Sequence, residues 1–166
     1  MGINAMKLII MRHGEAQAFA ASDSERGLTA HGEQQSQQMA TWLNQQLEGQ
    51  TLDKVLVSPY LRAQQTWQAC APLLPIADEV ITEEDITPYG QSDRVHTYLS
   101  AMIEVEKPGV ILVISHLPLV GYLTNEWVKE GQAPMLATSA MAIIDVDTAT
   151  QQASLDTLMS PRQLGR

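Results

Sequence analysis

The sequence predicts an α/β fold built on one open sheet, and three observations carry that expectation. Apolar runs of strand length alternate with amphipathic stretches of helical period along the chain. Three of those runs, Leu8-Ile9-Ile10-Met11, Val55-Leu56-Val57 and Val110-Ile111-Leu112-Val113-Ile114, each give out into a short motif carrying His or Arg. The chain has 166 residues, 45% of them hydrophobic, which fits one domain with a sizeable core.

The elements follow in order. Met1 to Ala5 read as a short extension, and Met6 could itself be a start; the first strand then covers about Lys7 to Met11. A polar loop of small residues, Ala16 to Gly27, includes Ser22-Asp23-Ser24-Glu25-Arg26; loops of this length in a compact domain are often functional. Thr29 can cap a helix over Ala30 to Leu47, with Met39, Trp42, Leu43 and Leu47 packed on the sheet. The second strand, Lys54 to Val57, leads into Ser58-Pro59, a favoured N-cap followed by a favoured first helical residue, so a helix is expected at once.

A short strand near Glu79 to Thr82 comes next. Ser92 or Asp93 then opens a helix with Val95, Tyr98, Leu99, Met102 and Ile103 on one face. Pro108-Gly109 ends it and introduces the most apolar strand, Val110 to Ile114. Pro118 starts a helix carrying Leu119, Val120, Tyr122, Leu123 and Trp127. Ala140 to Val146 and Ala153 to Leu158 pair as terminal strands. No internal repeat, linker or low-complexity tract interrupts the run, so residues 1–166 read as a single domain.

Composition removes several classes of function. Ten Lys and Arg against nineteen Asp and Glu, a formal net charge of −9, argue against nucleic-acid binding, which rests on basic side chains displacing counterions. A cationic pocket remains compatible with that charge, because fields focus locally in clefts. The single cysteine, Cys70, rules out an internal disulfide framework and a Cys-based zinc site, and its apolar surroundings point to a packed, inert thiol. No apolar stretch approaches the ~20 residues that span a bilayer, and the N-terminus lacks a signal-peptide pattern. The expectation is a cytoplasmic chain, with nothing that demands a dimer and a monomer therefore expected.

The strand ends carry the chemistry. Arg12-His13-Gly14-Glu15 follows the first strand, Ser58-Pro59-Tyr60-Leu61-Arg62 the second, and Ser115-His116-Leu117-Pro118 the most apolar one. Ligands of open α/β sheets sit outside the carboxyl ends of the strands, so two arginines and two histidines are expected on one rim. Arg62 falls in the first turn of its helix, where the dipole disfavours a cation. An anion bound at the rim would reverse that penalty; the other reading is a surface arginine paired with an acid elsewhere in the chain. His31 and His96 sit on amphipathic helices and read as structural or solvated. A neutral imidazole can attack phosphorus in line to form a phosphohistidine that water cleaves. Two arginines and a second histidine supply the charge neutralisation, and no metal is required. No metal-ligand spacing is evident, and no cofactor is expected.

Arg12-His13-Gly14 resembles the Arg-His-Gly signature of the histidine phosphatase superfamily, the phosphoglycerate mutase-like fold. Leu28-Thr29-Ala30-His31-Gly32, Val57-Ser58-Pro59-Tyr60-Leu61-Arg62-Ala63-Gln64-Gln65-Thr66 and Val113-Ile114-Ser115-His116-Leu117-Pro118-Leu119-Val120-Gly121 resemble the SixA-type phosphohistidine phosphatases in order and spacing. Thr87-Pro88-Tyr89-Gly90 and Met159-Ser160-Pro161 extend the likeness over nearly the whole chain. The resemblance implies a three-layer α/β/α sandwich with a mostly parallel central sheet and no cap domain. It implies that His13 is the phosphoryl-accepting nucleophile. Arg12, Arg62 and His116 become the phosphate pocket, with the backbone amide of Leu117 as a further donor. The implied reaction is hydrolysis of phosphohistidine on a bacterial phosphotransfer protein in signalling or sugar uptake.

Many members of the superfamily add a carboxylic acid to protonate an alkoxide leaving group. Here Glu83-Glu84-Asp85-Ile86 offers Asp85 as the best candidate for a weak acid, against the reading of a solvated acidic run. A phosphoramidate needs less help, because its imidazole can depart already protonated, so a weak acid favours phosphohistidine over phosphate esters. Glu15 is expected only to salt-bridge or hydrogen-bond at the rim. A chain without a cap leaves a shallow pocket, suited to a histidine presented on a protein helix. Two alternatives stand beside this reading: a small-molecule phosphomonoesterase or mutase, and a non-catalytic phosphoprotein-binding module.

Overall fold

In the computed structural model, which describes residues 5–165, the apolar runs form one six-stranded sheet. β1 (Ala5–Arg12), β2 (Lys54–Val57), β3 (Val80–Thr82) and β4 (Val110–Ser115) run parallel, while β5 (Met141–Asp147) and β6 (Ala153–Met159) join antiparallel. Strand order is β3-β2-β4-β1-β5-β6. The first strand therefore starts earlier than its apolar run. Ala5 and Met6 are already paired with Asp147 and Val146, because β5 is long enough to carry the ladder past Lys7. The rest of the expected N-terminal extension, residues 1–4, lies outside the described residues.

The sheet is covered on both faces, which explains why its central strands are apolar without alternation. Leu8, Ile10, Ile111 and Val113 pack with residues of α3 (Ser92–Glu106) and α4 (Leu119–Trp127). Ile9, Met11, Leu112 and Ile114 pack with residues of α1 (Ala30–Leu47) and α2 (Leu61–Cys70). Each such aliphatic side chain, removed from water, contributes roughly 1.5–3 kcal/mol. The result is the three-layer sandwich expected. The longest connections between elements, 13–29 and 128–140 apart from short 3₁₀ turns, leave no inserted domain among the described residues. α5 (Pro161–Leu164) ends the described chain.

Local chemistry sets the element ends. The Thr29 hydroxyl accepts from Gly32 N at 3.0 Å and opens α1, which stops where Glu48 and Gly49 turn left-handed. Ser58 departs from its expected role. α2 begins at Leu61 with Tyr60 as N-cap, and the Ser58 hydroxyl accepts from Tyr60 N while pairing with His116 instead. Tyr98 and Tyr122 also depart, being exposed on α3 and α4 rather than packed beneath them, since a phenol can leave its ring edge and hydroxyl in water. Trp42 packs against the α1 side of the core as expected.

Because β1 and β2 both flank β4, the segments that follow these three strands are spatial neighbours. Gly14 leaves β1 pressed against the start of α1. A Cβ there would lie 2.5 Å from the Gly32 carbonyl, and one on Gly32 would strike the Glu15 carbonyl. This close approach turns the chain sharply after His13 and leaves room for only glycine at both positions.

Candidate active site

His13 lies just past β1 and is buried, 6% exposed. Its backbone is held from two sides: its N–H donates to Ser115 O at 3.0 Å, and its carbonyl accepts from Ser139 N at 2.9 Å. On the ring, Nδ1 lies 2.7 Å from Gly14 O. A carbonyl can only accept, so Nδ1 carries the proton and Nε2 keeps its lone pair. The ring is thus in the tautomer a nucleophile needs. Gly14 N donates to Thr66 Oγ1 at 2.9 Å, and that hydroxyl donates to Arg62 O at 2.8 Å, which ties the β1 turn to α2.

His116, just past β4, stands with its ring centroid 5.0 Å from that of His13. Its Nε2 pairs with Ser58 Oγ at 2.7 Å, and Tyr60 meets its ring edge-on at 5.1 Å. The β2, β4 and β1 ends therefore meet at one point, as their adjacency in the sheet dictates. Arg62 stacks its guanidinium over Tyr60, 5.0 Å from the ring centroid. Arg12 at the end of β1 donates from Nη1 to Leu136 O at 3.0 Å.

Electrostatics keep both histidines neutral. Burial pushes His13 down to about 4, with Arg62, Arg12 and Arg26 acting in the same direction and the Gly14 hydrogen bond opposing. His116 is pushed down to about 2, first by burial and then by His13 and Arg62. Burial and the neighbouring Arg62 also lower Arg12. The cations crowd one another, which is unfavourable unless an anion joins them.

Hydrogen-bond satisfaction marks the same place. Among the described residues, five buried side-chain nitrogen or oxygen atoms have no partner, and three are Arg12 Nε, Arg62 Nε and His116 Nδ1. Buried polar groups are nearly always satisfied, so unsatisfied ones gathered about one nucleophile indicate donors reserved for a ligand. Charge-assisted bonds from guanidinium to a phosphoryl oxygen would satisfy them.

The remaining candidates separate. Leu117 sits half-buried on the turn between β4 and α4, next to His116. Asp85 is exposed in the 3₁₀ turn Glu84–Ile86 and lines a small cleft with Thr87, Tyr89, Gln91 and Arg94 that none of the rim cations enters. Glu15 is exposed and accepts from Thr29 Oγ1 at 2.8 Å. His31 is exposed on α1, and His96 stacks on Trp127 with centroids 4.4 Å apart. Cys70 is fully buried, and burial pushes its thiol up to about 12, which leaves it inert. Among the described residues no group of His, Cys, Asp and Glu could hold a metal ion.

Three participants are not evident from local sequence: Ser58 reads as a helix cap, Thr66 stands in its motif without a role of its own, and Asp23 reads as one acid in a polar loop. Asp23 accepts from both terminal nitrogens of Arg62, so the acid partner is present, but on an arginine that is buried at the rim and not at the surface.

Comparison with known proteins gives the family. Residues 8–90 match the model of the histidine phosphatase superfamily, branch 1. Phosphohistidine phosphatase SixA of Escherichia coli (strain K12) is 43% identical over 143 residues, 86% of each chain. A SixA homolog of Haemophilus influenzae is 41% identical, covering 73% of this chain and 76% of its own. A solved structure of the protein histidine phosphatase SixA complexed with tungstate superposes with a TM-score of 0.88 at 41% identity, over 96% of this chain and 99% of the other.

Proposed function

The chain belongs to the histidine phosphatase superfamily, and from that membership we propose that it is a phosphohistidine phosphatase acting on histidine-phosphorylated phosphotransfer proteins. The observation that carries the reading is the neutral His13, its Nδ1 proton committed to Gly14, ringed by unpartnered donors of Arg12, Arg62 and His116. The 43% identity to a phosphohistidine phosphatase supports the choice of substrate class.

The chemistry follows from those groups. His13 Nε2 attacks phosphorus, the phosphorus–nitrogen bond to the substrate imidazole breaks, and the substrate leaves as neutral imidazole when its other nitrogen already bears a proton. No proton has to be supplied in that exchange, because one Nδ1-protonated imidazole replaces another. The Nδ1–H to Gly14 bond stabilises the positive charge that His13 gains. Water then attacks phosphorus, the bond to Nε2 breaks, and both water protons depart with orthophosphate. Arg12 and Arg62 neutralise the phosphoryl oxygens as they move through the transition state, while His116 and the Leu117 amide donate hydrogen bonds to them. An exposed Asp85 that shares its cleft with none of the rim cations accords with a leaving group that needs no acid.

Nothing in the sequence calls for a metal or organic cofactor in this scheme, and the cytoplasm is the compartment that goes with this substrate. No helix among the described residues is long and apolar enough to cross a membrane. The test is phosphate release from phosphohistidine-bearing phosphotransfer domains, free phosphoramidate and common phosphate esters, each with wild type and His13→Ala. Turnover concentrated on phosphohistidine, with an acid-labile phosphoenzyme in wild type alone, is the expected result. Broad ester hydrolysis would make the protein a metabolic phosphomonoesterase, and binding of phosphoprotein without turnover would make it a recognition module.

A further inference from the structure

Arg62 is 3% exposed and sits in the first turn of α2, a position whose backbone dipoles oppose a cation and whose own first turn offers no acidic residue. The missing acid comes from a segment 39 residues earlier. Asp23 opens the 3₁₀ turn Asp23–Glu25, and its backbone oxygen accepts from Arg62 Nη1 at 2.8 Å while its Oδ2 accepts from Nη2 at 3.2 Å. Its other carboxylate oxygen accepts from Arg26 Nε at 2.9 Å. Arg26 Nη1 in turn donates to Gln17 O at 2.9 Å, so the loop is tied to itself before it reaches Arg62.

A carboxylate on a phosphate-binding arginine could act in either of two ways. It could compete with the incoming anion, or it could fix the guanidinium so that its free donors, Nε among them, face the anion. The contacts favour fixation. Two oxygens of one residue hold both terminal nitrogens and so set the plane of the fork, yet Nε is left buried and unpartnered, as are Arg12 Nε and His116 Nδ1. Asp23 also divides its charge between two arginines, so the trio keeps a net positive charge. Resting on the phosphatase reading of the rim, we propose that Asp23 is a positioning residue for the reaction, acting through Arg62 by holding its guanidinium in one orientation with Nε toward the phosphoryl group.

The test uses the full chain with free phosphoramidate as substrate and inorganic phosphate as the binding probe. Asp23→Ala is expected to lower kcat about ten- to hundred-fold, the scale of a misplaced group in a site, with little change in KM. Asp23→Asn keeps the backbone contact and an oxygen acceptor, and recovers most of the rate. In an Arg62→Ala background, Asp23→Ala is expected to add no further loss, because its target is gone. Should Arg62→Ala fail the circular dichroism check for folding, Arg62→Lys provides the same background, a cation without the paired terminal nitrogens.

Faster turnover or tighter phosphate binding in Asp23→Ala would show a competitor and overturn the proposal. A loss of equal size with and without Arg62 would show that Asp23 acts elsewhere in its loop, and wild-type rates in Asp23→Ala would remove it altogether. A wild-type protein that neither binds phosphate nor cleaves phosphoramidate overturns the phosphatase reading itself, and Asp23 with it.

Discussion

Where β1, β2 and β4 begin, Lys7 donates to Asp145 at 3.1 Å with Asp156 3.7 Å away, and Lys54 lies between Glu79 and Glu106. Asp53 there accepts from Gly109 N at 2.9 Å and Val110 N at 2.8 Å. Where the same strands finish, Arg12, Arg62 and two neutral histidines crowd together, and three of their nitrogens lack partners. Both ends are charged and both are organised. They differ in satisfaction: one end closes its charges on each other, and the other holds donors back. Charge marks a surface, whereas buried and unspent hydrogen-bonding capacity marks a site.

Removing the nucleophile is the strongest way to break that comparison. His13→Ala should cut phosphohistidine turnover by on the order of 10⁴-fold or more, while circular dichroism and thermal unfolding show an intact fold. A rim residue supports little of the core, so gross unfolding would mean that the site end is structural after all. Arg62→Ala comes next, at about 10²–10³-fold in kcat, the cost of one preorganised charge donor. Near-normal activity in that variant would take Arg62 out of the site and leave its pairing with Asp23 a matter of loop order.

Acid sharpens the contrast further. His13 has to be neutral to attack, so kcat/KM, corrected for spontaneous hydrolysis, should hold as pH falls through 6.5 and decline only near its depressed pKa of about 4. Stability follows the same proton. The folded state holds His13 below its ordinary value, so between pH 6.5 and about 4 the unfolded chain binds more protons and stability falls as pH falls. The shift from 6.5 to about 4 amounts to up to about 3 kcal/mol. Urea unfolding at pH 7.5 and 4.5 should show His13→Ala losing less stability than wild type on acidification. Equal losses would mean that His13 is not held neutral by its burial.

The strand ends were legible because parallel strands covered on both faces leave uninterrupted apolar runs, and whatever follows such a run must emerge at the sheet edge. That logic delivered Arg12, His13, Arg62 and His116 to one rim from spacing alone. Thr29 was legible as a cap because the cap and its partner Gly32 are neighbours in sequence. Ser58 was not, since Ser-Pro carries the same local signal whether the hydroxyl serves its own helix or a histidine 58 residues away. Asp23 was hidden for a similar reason. Its loop has no periodicity, and the arginine it holds lies far along the chain. Partners fixed by tertiary structure leave no mark on local pattern, and these are the residues that orient the site rather than compose it.

The smallest effect belongs to the opposite end, and it tests the comparison from its quiet side. Lys54→Met should leave kcat and KM on phosphohistidine unchanged and lower stability only slightly, because its carboxylate partners, with side chains 51% and 45% exposed, can turn to water when the ammonium is gone. Lys7→Met should behave alike, since Asp145 and Asp156 are 40% and 44% exposed. High salt should shrink even these differences, as screening weakens exposed pairs. Arg62 has no such escape: 3% exposed, it cannot give up its partners to solvent. A loss of turnover in either lysine variant would show that the far end of the sheet feeds the site, and the division between satisfied and reserved charge would no longer separate structure from function.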